Sequence, residues 1–187
     1  MVEMYDFDNP NEYNSYIVAS TPVVYGQQWR SNMRGHGGNY NLSSIKLKVC
    51  REGLPNFCNL YVKEYDWNTD NPIGPILYTG SFNGNIVTTD INGELINIPL
   101  SGNSILYVDV YYCFYIDCIS GALYSYIKSP IYSDFNPDYS SYVIDNWNAG
   151  SGTDWDTYDK TTYWEAWGAH IGKPNPTKIG GMFVKTH

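Results

Sequence analysis

Apolar and polar residues alternate with a period of two along several stretches of the chain, and this alternation limits the fold more than any other feature of the sequence. Ile45, Leu47 and Val49 alternate with lysines, and a longer alternation runs over residues 106–116. A period of two places apolar side chains on one face of a β-strand, and no segment shows the 3.6-residue period of an amphipathic helix. The pattern predicts an all-β protein in which residues 106–116 form the central strand.

Composition and charge support this interpretation and exclude one class of partner. Aromatic residues, which are common in strands, make up 17% of the 187 residues, and this length suits one domain. The formal net charge of −8 at pH 7 opposes binding to nucleic acids, because their phosphates require clustered lysines and arginines. We therefore expect one domain and no nucleic-acid partner.

Turn residues divide the chain into short strands. Asn-Gly pairs at residues 83–84 and 92–93 predict hairpin turns, because both residues of such a turn adopt positive φ. Residues 68–75 predict a turn-rich loop. The predicted strands are 45–49, 60–65, 76–82, 86–91, 95–100, 106–116, 123–127, 142–147, 161–171 and 182–186.

These strands define two regions of unequal size. Residues 1–25 predict an irregular N-terminal arm, in which Tyr13, Tyr16, Ile17 and Val18 could cover a sheet edge. Residues 26–187 predict a jelly-roll β-sandwich of about eight to ten antiparallel strands, because short strands with regularly spaced turns are typical of that architecture.

The sequence gives no sign of membrane insertion or export. No stretch reaches the roughly 18 uninterrupted apolar residues that a membrane span requires. Residues 1–10 lack the basic and apolar regions of a secretory signal. We therefore expect no membrane span and no export by the Sec route.

Catalytic motifs are absent from the sequence, which contains three histidines. There is no G-x-S-x-G, H-E-x-x-H, P-loop or C-x-x-C motif. A glycoside hydrolase would need two facing carboxylates, and acidic residues near the C-terminus could supply them. Acidic loop residues are more commonly just solvated, so we expect a protein without enzymatic activity. The acidic candidates are Asp145, Asp154, Asp156 and Glu165.

The four cysteines match no zinc-binding spacing. Alternation places Cys50 and Cys58 on different faces of their strands, and it separates Cys113 from Cys118 in the same way. A disulfide across a regular hairpin needs a shared face, so local disulfides would require a bulge. Four reduced thiols are an equally good interpretation.

Tryptophan and tyrosine are concentrated between residues 147 and 167. Aromatic rings stack on the apolar faces of sugars, so this cluster could bind a glycan. The same residue types are enriched at protein interfaces, and Trp164 and Trp167 could instead fill the core or a subunit contact. The candidates for a glycan site or an interface are Trp147, Trp155, Tyr158, Tyr163, Trp164 and Trp167.

Asp66, Asp70 and Asn71 place several oxygen donors on one loop. Oxygen-rich loops can hold calcium, although this segment lacks the spacing of an EF-hand. Side chains of Asp and Asn also cap turns, which is the alternative interpretation. We expect no required cofactor, with a structural calcium ion at these three residues as the one exception to test.

Several short motifs occur in a characteristic order along most of the chain. They are residues 27–29 (Gln-Gln-Trp), the glycine-rich segment 35–44 before the strand 45–49, the loop 70–80, and the segments 100–110 and 183–187. This order resembles a family of jelly-roll domains found in choice-of-anchor cell-surface proteins and in structural proteins of tailed bacteriophages. The family is similar in outline to carbohydrate-binding jelly rolls. The resemblance covers about residues 26–187 and implies the fold rather than an activity.

The residues and the resemblance together lead to two functional hypotheses. The first is a non-enzymatic structural protein on the virion surface, such as a capsid decoration, head-fibre or tail-associated subunit that contacts other virion or surface-layer subunits. The alternative is an extracellular or cell-surface carbohydrate-binding module or adhesin that stacks glycans on its Trp and Tyr residues. For the virion subunit we expect a closed homo-oligomer, with a trimer as the specific expectation. A carbohydrate-binding module would instead bind its sugar as a monomer.

Overall fold

The protein folds into two β-sheets that enclose one apolar core. The computed structural model describes residues 16–19, 24–30, 39–118, 125–132, 142–146, 155–158, 161–162, 164–171 and 176–181. These ranges contain thirteen strands, and every strand pair is antiparallel.

The strands are assigned in chain order as follows: β1 Tyr16–Ala19, β2 Val24–Arg30, β3 Tyr40–Glu52, β4 Phe57–Asp66, β5 Asn71–Asn83, β6 Glu94–Pro99, β7 Tyr111–Cys118, β8 Tyr126–Tyr132, β9 Tyr142–Asn146, β10 Trp155–Tyr158, β11 Thr161–Thr162, β12 Trp164–His170 and β13 Pro176–Gly181. The seven-stranded sheet has the order β1-β8-β3-β12-β13, with β6 paired to β3 and β11 paired to β8. The six-stranded sheet has the order β10-β9-β2-β7-β4-β5.

The core lies between the sheets and takes one face of each. On β3 of the seven-stranded sheet, Ile45, Leu47 and Val49 are all buried in the core, as their alternation predicts. The six-stranded sheet contributes side chains such as Leu60 of β4 and Phe114 of β7. The alternating strands therefore fold with their apolar faces together, because this removes apolar surface from water.

The structure confirms an all-β sandwich of antiparallel strands. It contains more strands than the expected number of about eight to ten. β1, β2, β10 and β13 were not predicted, and the segment 161–171 holds two strands, β11 and β12. Within the described ranges, no helix has the length and hydrophobicity needed to cross a membrane.

Part of the predicted N-terminal arm belongs to a sheet. β1 pairs with β8, with Tyr16 opposite Pro130 and Ala19 opposite Ile127. It lies at one end of the seven-stranded sheet, so it covers a sheet edge. β2 begins at Val24, so residues 24 and 25 of the expected irregular arm lie in a β-strand.

The predicted strand 86–91 is wrong. Gly84–Ile86 is a 3₁₀ turn, and the Asn83 side chain at its start accepts a hydrogen bond from the Asn85 N–H. Asn side chains that bond to the nearby backbone in this way compete with strand pairing. β6 pairs with β3 instead, so the Asn-Gly pair at 92–93 does not close a hairpin.

The predicted central strand 106–116 is wrong in its first half. β7 begins at Tyr111, and the preceding Asp109 has a φ of +62°, which an extended strand does not allow. The Tyr107 N–H donates a hydrogen bond to the Tyr112 hydroxyl at 2.8 Å and holds this turn against β7. The strand that remains is still central, since it lies between β2 and β4.

Other predicted boundaries differ by a few residues. The loop expected at 68–75 is shorter, because β5 already begins at Asn71. The strands expected at 95–100 and 142–147 are confirmed as β6 and β9. The strand expected at 182–186 lies outside the described residues.

Candidate functional site

Strands β4 and β7 are neighbours, and each has a second face that points away from the core. Leu60 and Phe114 belong to their core faces. The second faces carry aromatic and polar side chains, and they continue into the turn after β4. We call this surface the aromatic strip; its residues are Asn59, Tyr61, Lys63, Tyr65 and Trp67 in and after β4, and Tyr111, Cys113, Tyr115 and Asp117 in β7.

Strand register creates a tyrosine pair in this strip. Tyr61 lies directly opposite Tyr115, and Asn59 lies opposite Asp117. Directly opposite side chains on one face are close enough to contact, and the two tyrosine rings have centroids 5.4 Å apart at an angle of 42°. The Asn59 side-chain amide donates a hydrogen bond of 3.0 Å to the Tyr61 hydroxyl and so orients that ring.

A cleft of about 470 Å³ opens beside this tyrosine pair. β5 forms its other side, because Thr79 lies opposite Tyr61 and Ser81 lies opposite Asn59. The segment after β6 is fixed next to β5 by two backbone hydrogen bonds between Thr79 and Ser101, of 2.9 and 2.7 Å. The cleft is lined by Asn59, Tyr61, Thr79, Gly80, Ser81, Pro99 and Ser101.

The cleft lining is polar but uncharged. It offers one aromatic ring, one amide and several hydroxyl groups, and none of its residues carries an ionisable acid or base group other than the phenol. Next to it, burial raises the pKa of Tyr115 to about 12, so this phenol keeps its proton at neutral pH. Burial also raises the pKa of the Asp117 carboxyl. The arrangement suits a ligand with neutral hydroxyl groups and an apolar face.

A second aromatic group lies at the other end of the strip. Trp67 stacks on Tyr111 with ring centroids 5.6 Å apart, and the Arg30 guanidinium lies 5.7 Å from the centre of the Tyr111 ring. Between the two ends, Tyr65 and Cys113 are buried against each other. The accessible rings of the strip therefore form two separate groups, and the cleft belongs to the Tyr61 group.

Sequence reasoning did not identify the tyrosine pair. The available signal is the alternation along β7, in which Tyr115 and Asp117 alternate with the core residues Phe114 and Ile116. The partner of Tyr115 depends on the register between β4 and β7, which the sequence of either strand alone does not determine.

The predicted Trp and Tyr cluster falls only partly on the described residues. Trp164 is 1% exposed and packs in the core against Trp29 and Phe114, so it is not available to a ligand or a partner. Trp167 is half-buried; its indole N–H donates to Glu165 at 2.8 Å, and the Lys46 ammonium lies 4.8 Å from its ring. Trp155 and Tyr158 are the ends of β10. Trp147 and Tyr163 lie outside the described residues.

The acidic candidates lie in different parts of the sandwich. Glu165 is buried on β12, and its carboxylate accepts the Trp167 hydrogen bond and lies 3.8 Å from the Lys46 ammonium. Asp145 of β9 and Asp156 of β10 occupy opposite register positions in the other sheet. Asp154 lies outside the described residues. Glu165 is therefore committed to local contacts rather than to a cleft.

The three residues expected to bind calcium, Asp66, Asp70 and Asn71, make hydrogen bonds within the turn between β4 and β5. Asp66 accepts hydrogen bonds from the Asn68 N–H at 3.0 Å and the Thr69 hydroxyl at 2.9 Å. Asp70 accepts one from the Tyr65 hydroxyl, and the Asn71 amide donates to the Thr69 carbonyl. These are the contacts of the turn-capping alternative. Among the described residues, no group of three or more His, Cys, Asp or Glu side chains is arranged to hold a metal ion.

An exposed apolar group lies where the loop after β3 meets the 3₁₀ turn. Asn56 and Asn85 join these segments: the Asn56 N–H donates to the Asn85 side chain at 2.8 Å, and the Asn85 amide donates back to the Asn56 side chain at 3.0 Å. Around this junction, Leu54, Phe57 and Ile86 are 55%, 64% and 79% exposed. We call these three residues the apolar corner.

No model of a protein family matches the sequence, and no curated protein matches it either. The two candidate surfaces, the cleft and the apolar corner, are therefore interpreted from their own chemistry.

Proposed function

We propose that the protein is a non-enzymatic binding module that recognises a neutral carbohydrate in the cleft beside Tyr61 and Tyr115. The observation that carries this proposal is the combination of an accessible aromatic ring with amide and hydroxyl groups around one cleft. Aromatic rings contact the apolar faces of sugars, while amides and hydroxyls exchange hydrogen bonds with sugar hydroxyls. This was the alternative hypothesis from the sequence, now assigned to different residues.

The charge of the lining favours a neutral ligand. A phosphate or carboxylate ligand would need Arg, Lys or a group of backbone N–H donors, whereas the cleft is lined by Asn, Tyr, Thr, Gly, Ser and Pro. The chain as a whole carries a formal net charge of −8, which repels anionic polymers. Hydrolysis of a bound glycan would require two carboxylates, and the lining contains none.

A binding measurement with two single variants tests this proposal. The probes are neutral oligosaccharides of glucose, mannose and galactose, immobilised as an array and followed by calorimetry for any sugar retained. We expect Tyr61→Ala to weaken binding at least about tenfold, because the stacking ring is lost. Tyr126→Ala is the matched control, since Tyr126 is a half-buried tyrosine on β8 in the other sheet. An array without any retained sugar, or equal weakening by both variants, would contradict the proposal.

A second candidate function is that of a subunit in a larger assembly, and the apolar corner favours it. Leu54, Phe57 and Ile86 expose apolar surface at a junction whose backbone is fixed by hydrogen bonds. Rigid exposed apolar groups are typical of protein contacts. The resemblance to structural proteins of tailed bacteriophages suggests a virion surface as the location, with a homo-oligomer, such as a trimer, as the functional unit.

Sedimentation over a range of protein concentrations tests the second candidate. We expect the wild-type chain to associate and the double variant Phe57→Ser/Ile86→Ser to remain monomeric. Ile91→Ser is the control, because Ile91 is an exposed isoleucine in a different turn. Monomeric wild-type protein at all concentrations would contradict association through the apolar corner, and the glycan proposal would be unaffected.

A further inference from the structure

Two of the four cysteines lie directly opposite each other. Cys58 of β4 pairs with Cys118 of β7 in the strand register, and both thiols are fully buried on the core face. Opposite residues of antiparallel strands have Cα atoms roughly 4.5–5.5 Å apart, which falls within the disulfide range of roughly 4.4–6.8 Å. A hydrogen bond with Cys58 raises the pKa of the Cys118 thiol, which agrees with this opposite placement. A bond between them therefore needs little movement of the backbone.

Neither of the other two cysteines lies opposite a member of this pair. Cys113 is on the same strand as Cys118 but faces the other side of the sheet, where it packs with Tyr65. Cys50 is on β3, in the seven-stranded sheet, at a position opposite Lys128. Strand register thus selects one pair, and this pair is neither of the local combinations, Cys50 with Cys58 or Cys113 with Cys118.

We propose that Cys58 and Cys118 form a disulfide during folding, with a small-molecule disulfide such as oxidised glutathione as the oxidant. The thiolate of one cysteine attacks the glutathione disulfide, which gives a mixed disulfide and releases one glutathione thiol. The thiolate of the second cysteine then attacks the protein sulfur of the mixed disulfide and releases the second glutathione. The protein loses two electrons and two protons, and oxidised glutathione is reduced to two thiols.

The timing of oxidation follows from burial. Thiol–disulfide exchange requires a thiolate that the oxidant can reach. In the folded sandwich both sulfurs are inaccessible, and the hydrogen bond with Cys58, together with burial, raises the pKa of the Cys118 thiol well above its usual range. Oxidation therefore occurs while the chain is folding, before the two sheets enclose Cys58 and Cys118. The folded reduced protein resists the oxidant, and the folded oxidised protein resists reductants.

Refolding in a glutathione buffer tests the proposal. The reduced, denatured full-length chain is diluted into a mixture of oxidised and reduced glutathione, alkylated, digested without reductant and analysed by mass spectrometry. We expect one dominant cross-linked species, which joins the peptides containing Cys58 and Cys118. Folded reduced protein in the same buffer should remain reduced over the same period.

Variants keep this test decisive. The Cys50→Ser/Cys113→Ser double variant contains only the proposed pair and should form the same link with unchanged yield. Cys118→Ser should lose the link, and if it fails to fold, the double variant still carries the test. Refolded protein with four free thiols, a dominant link through Cys50 or Cys113, or rapid oxidation of the folded protein would overturn the proposal.

Discussion

Trp29 of β2 and Trp164 of β12 contact each other across the core, with ring centroids 5.3 Å apart and ring planes at 48°. Each ring belongs to a different sheet, so this contact joins the two layers of the sandwich. We expect Trp164→Ala to lower the free energy of unfolding by about 3–5 kcal/mol, because it leaves a cavity between the sheets. Trp67→Ala, at a partly exposed tryptophan of the aromatic strip, should lower it by less than about 1.5 kcal/mol. Urea denaturation measures the free energy of unfolding of both variants. Equal losses for the two variants would contradict the larger contribution expected from the core tryptophan.

We expect the replacement of Gln28 by an apolar residue to increase the stability of the folded protein. The Gln28 side chain is fully buried, and within the described part of the chain its amide has no hydrogen-bond partner. An unsatisfied buried amide destabilises the folded state by about 1–3 kcal/mol. We therefore expect Gln28→Met, which has a similar volume, to raise the urea midpoint. Gln28→Glu should lower it at neutral pH, since it buries a charge. A lower midpoint for Gln28→Met would indicate that the amide is in fact satisfied.

Asp117 makes stability depend on pH in one direction. Burial raises the pKa of its carboxyl above the ordinary value of 3.8, so the folded state binds the proton more tightly than the unfolded state. The stabilisation from protonated Asp117 is complete below pH 3.8 and is lost as pH rises through the folded-state pKa. Asp117→Asn should therefore be more stable than the wild type at pH 7, with the difference disappearing near pH 3. Urea midpoints at several pH values measure this effect.

Asp66 should show the opposite dependence. Hydrogen bonds from the Asn68 N–H and the Thr69 hydroxyl lower the pKa of its carboxyl below 3.8, so charged Asp66 stabilises the folded state. This contribution is present above pH 3.8 and is lost as pH falls through the lower folded-state pKa. Asp66→Asn should lower the urea midpoint at pH 7 and converge with the wild type in strong acid. If Asp66→Asn and Asp117→Asn changed the urea midpoint in the same direction at pH 7, the opposite pKa shifts of the two carboxyls would be contradicted.

Alanine substitutions at two glycines distinguish the effect of close packing on stability from the effect of backbone strain. A Cβ added to Gly26 of β2 would overlap the Phe114 carbonyl oxygen and the Tyr115 Cα of β7. We expect Gly26→Ala to prevent the pairing of these strands and to yield little folded protein. Gly74 has a φ of +67° with open space around it, so Gly74→Ala should fold and lose about 1–2 kcal/mol of stability. Circular dichroism and urea denaturation distinguish the two outcomes.

The sequence predicts the fold class well, because apolar alternation directly reports burial on one sheet face. Ile45, Leu47 and Val49 show this most clearly. Alternation fails where a side chain offers the backbone another hydrogen bond or where φ becomes positive. Asn83 begins a 3₁₀ turn inside an apolar stretch, and Asp109 turns the chain where the pattern predicts a continuous strand.

The candidate sites were harder to predict, because they depend on pairing between distant strands. Tyr61 contacts Tyr115, and Cys58 lies opposite Cys118, through the same register of β4 and β7. Residue spacing along the chain contains no information about that register. The density of tryptophans near the C-terminus left a glycan site, an interface and the core as alternatives, and burial assigns Trp164 to the core.

The backbone bridge between Thr79 and Ser101 has a consequence for how the cleft would evolve. One side of the cleft is the β4–β5 pair, and backbone hydrogen bonds hold the segment after β6 next to β5, so the cleft exists before any ligand arrives. A pre-organised cleft loses little conformational entropy when it is occupied. Thr79 and Ser81 are exposed on β5, and side chains at such positions can be exchanged without altering the pairing that shapes the cleft. The sandwich is thus a scaffold on which ligand specificity can diversify while the fold stays constant.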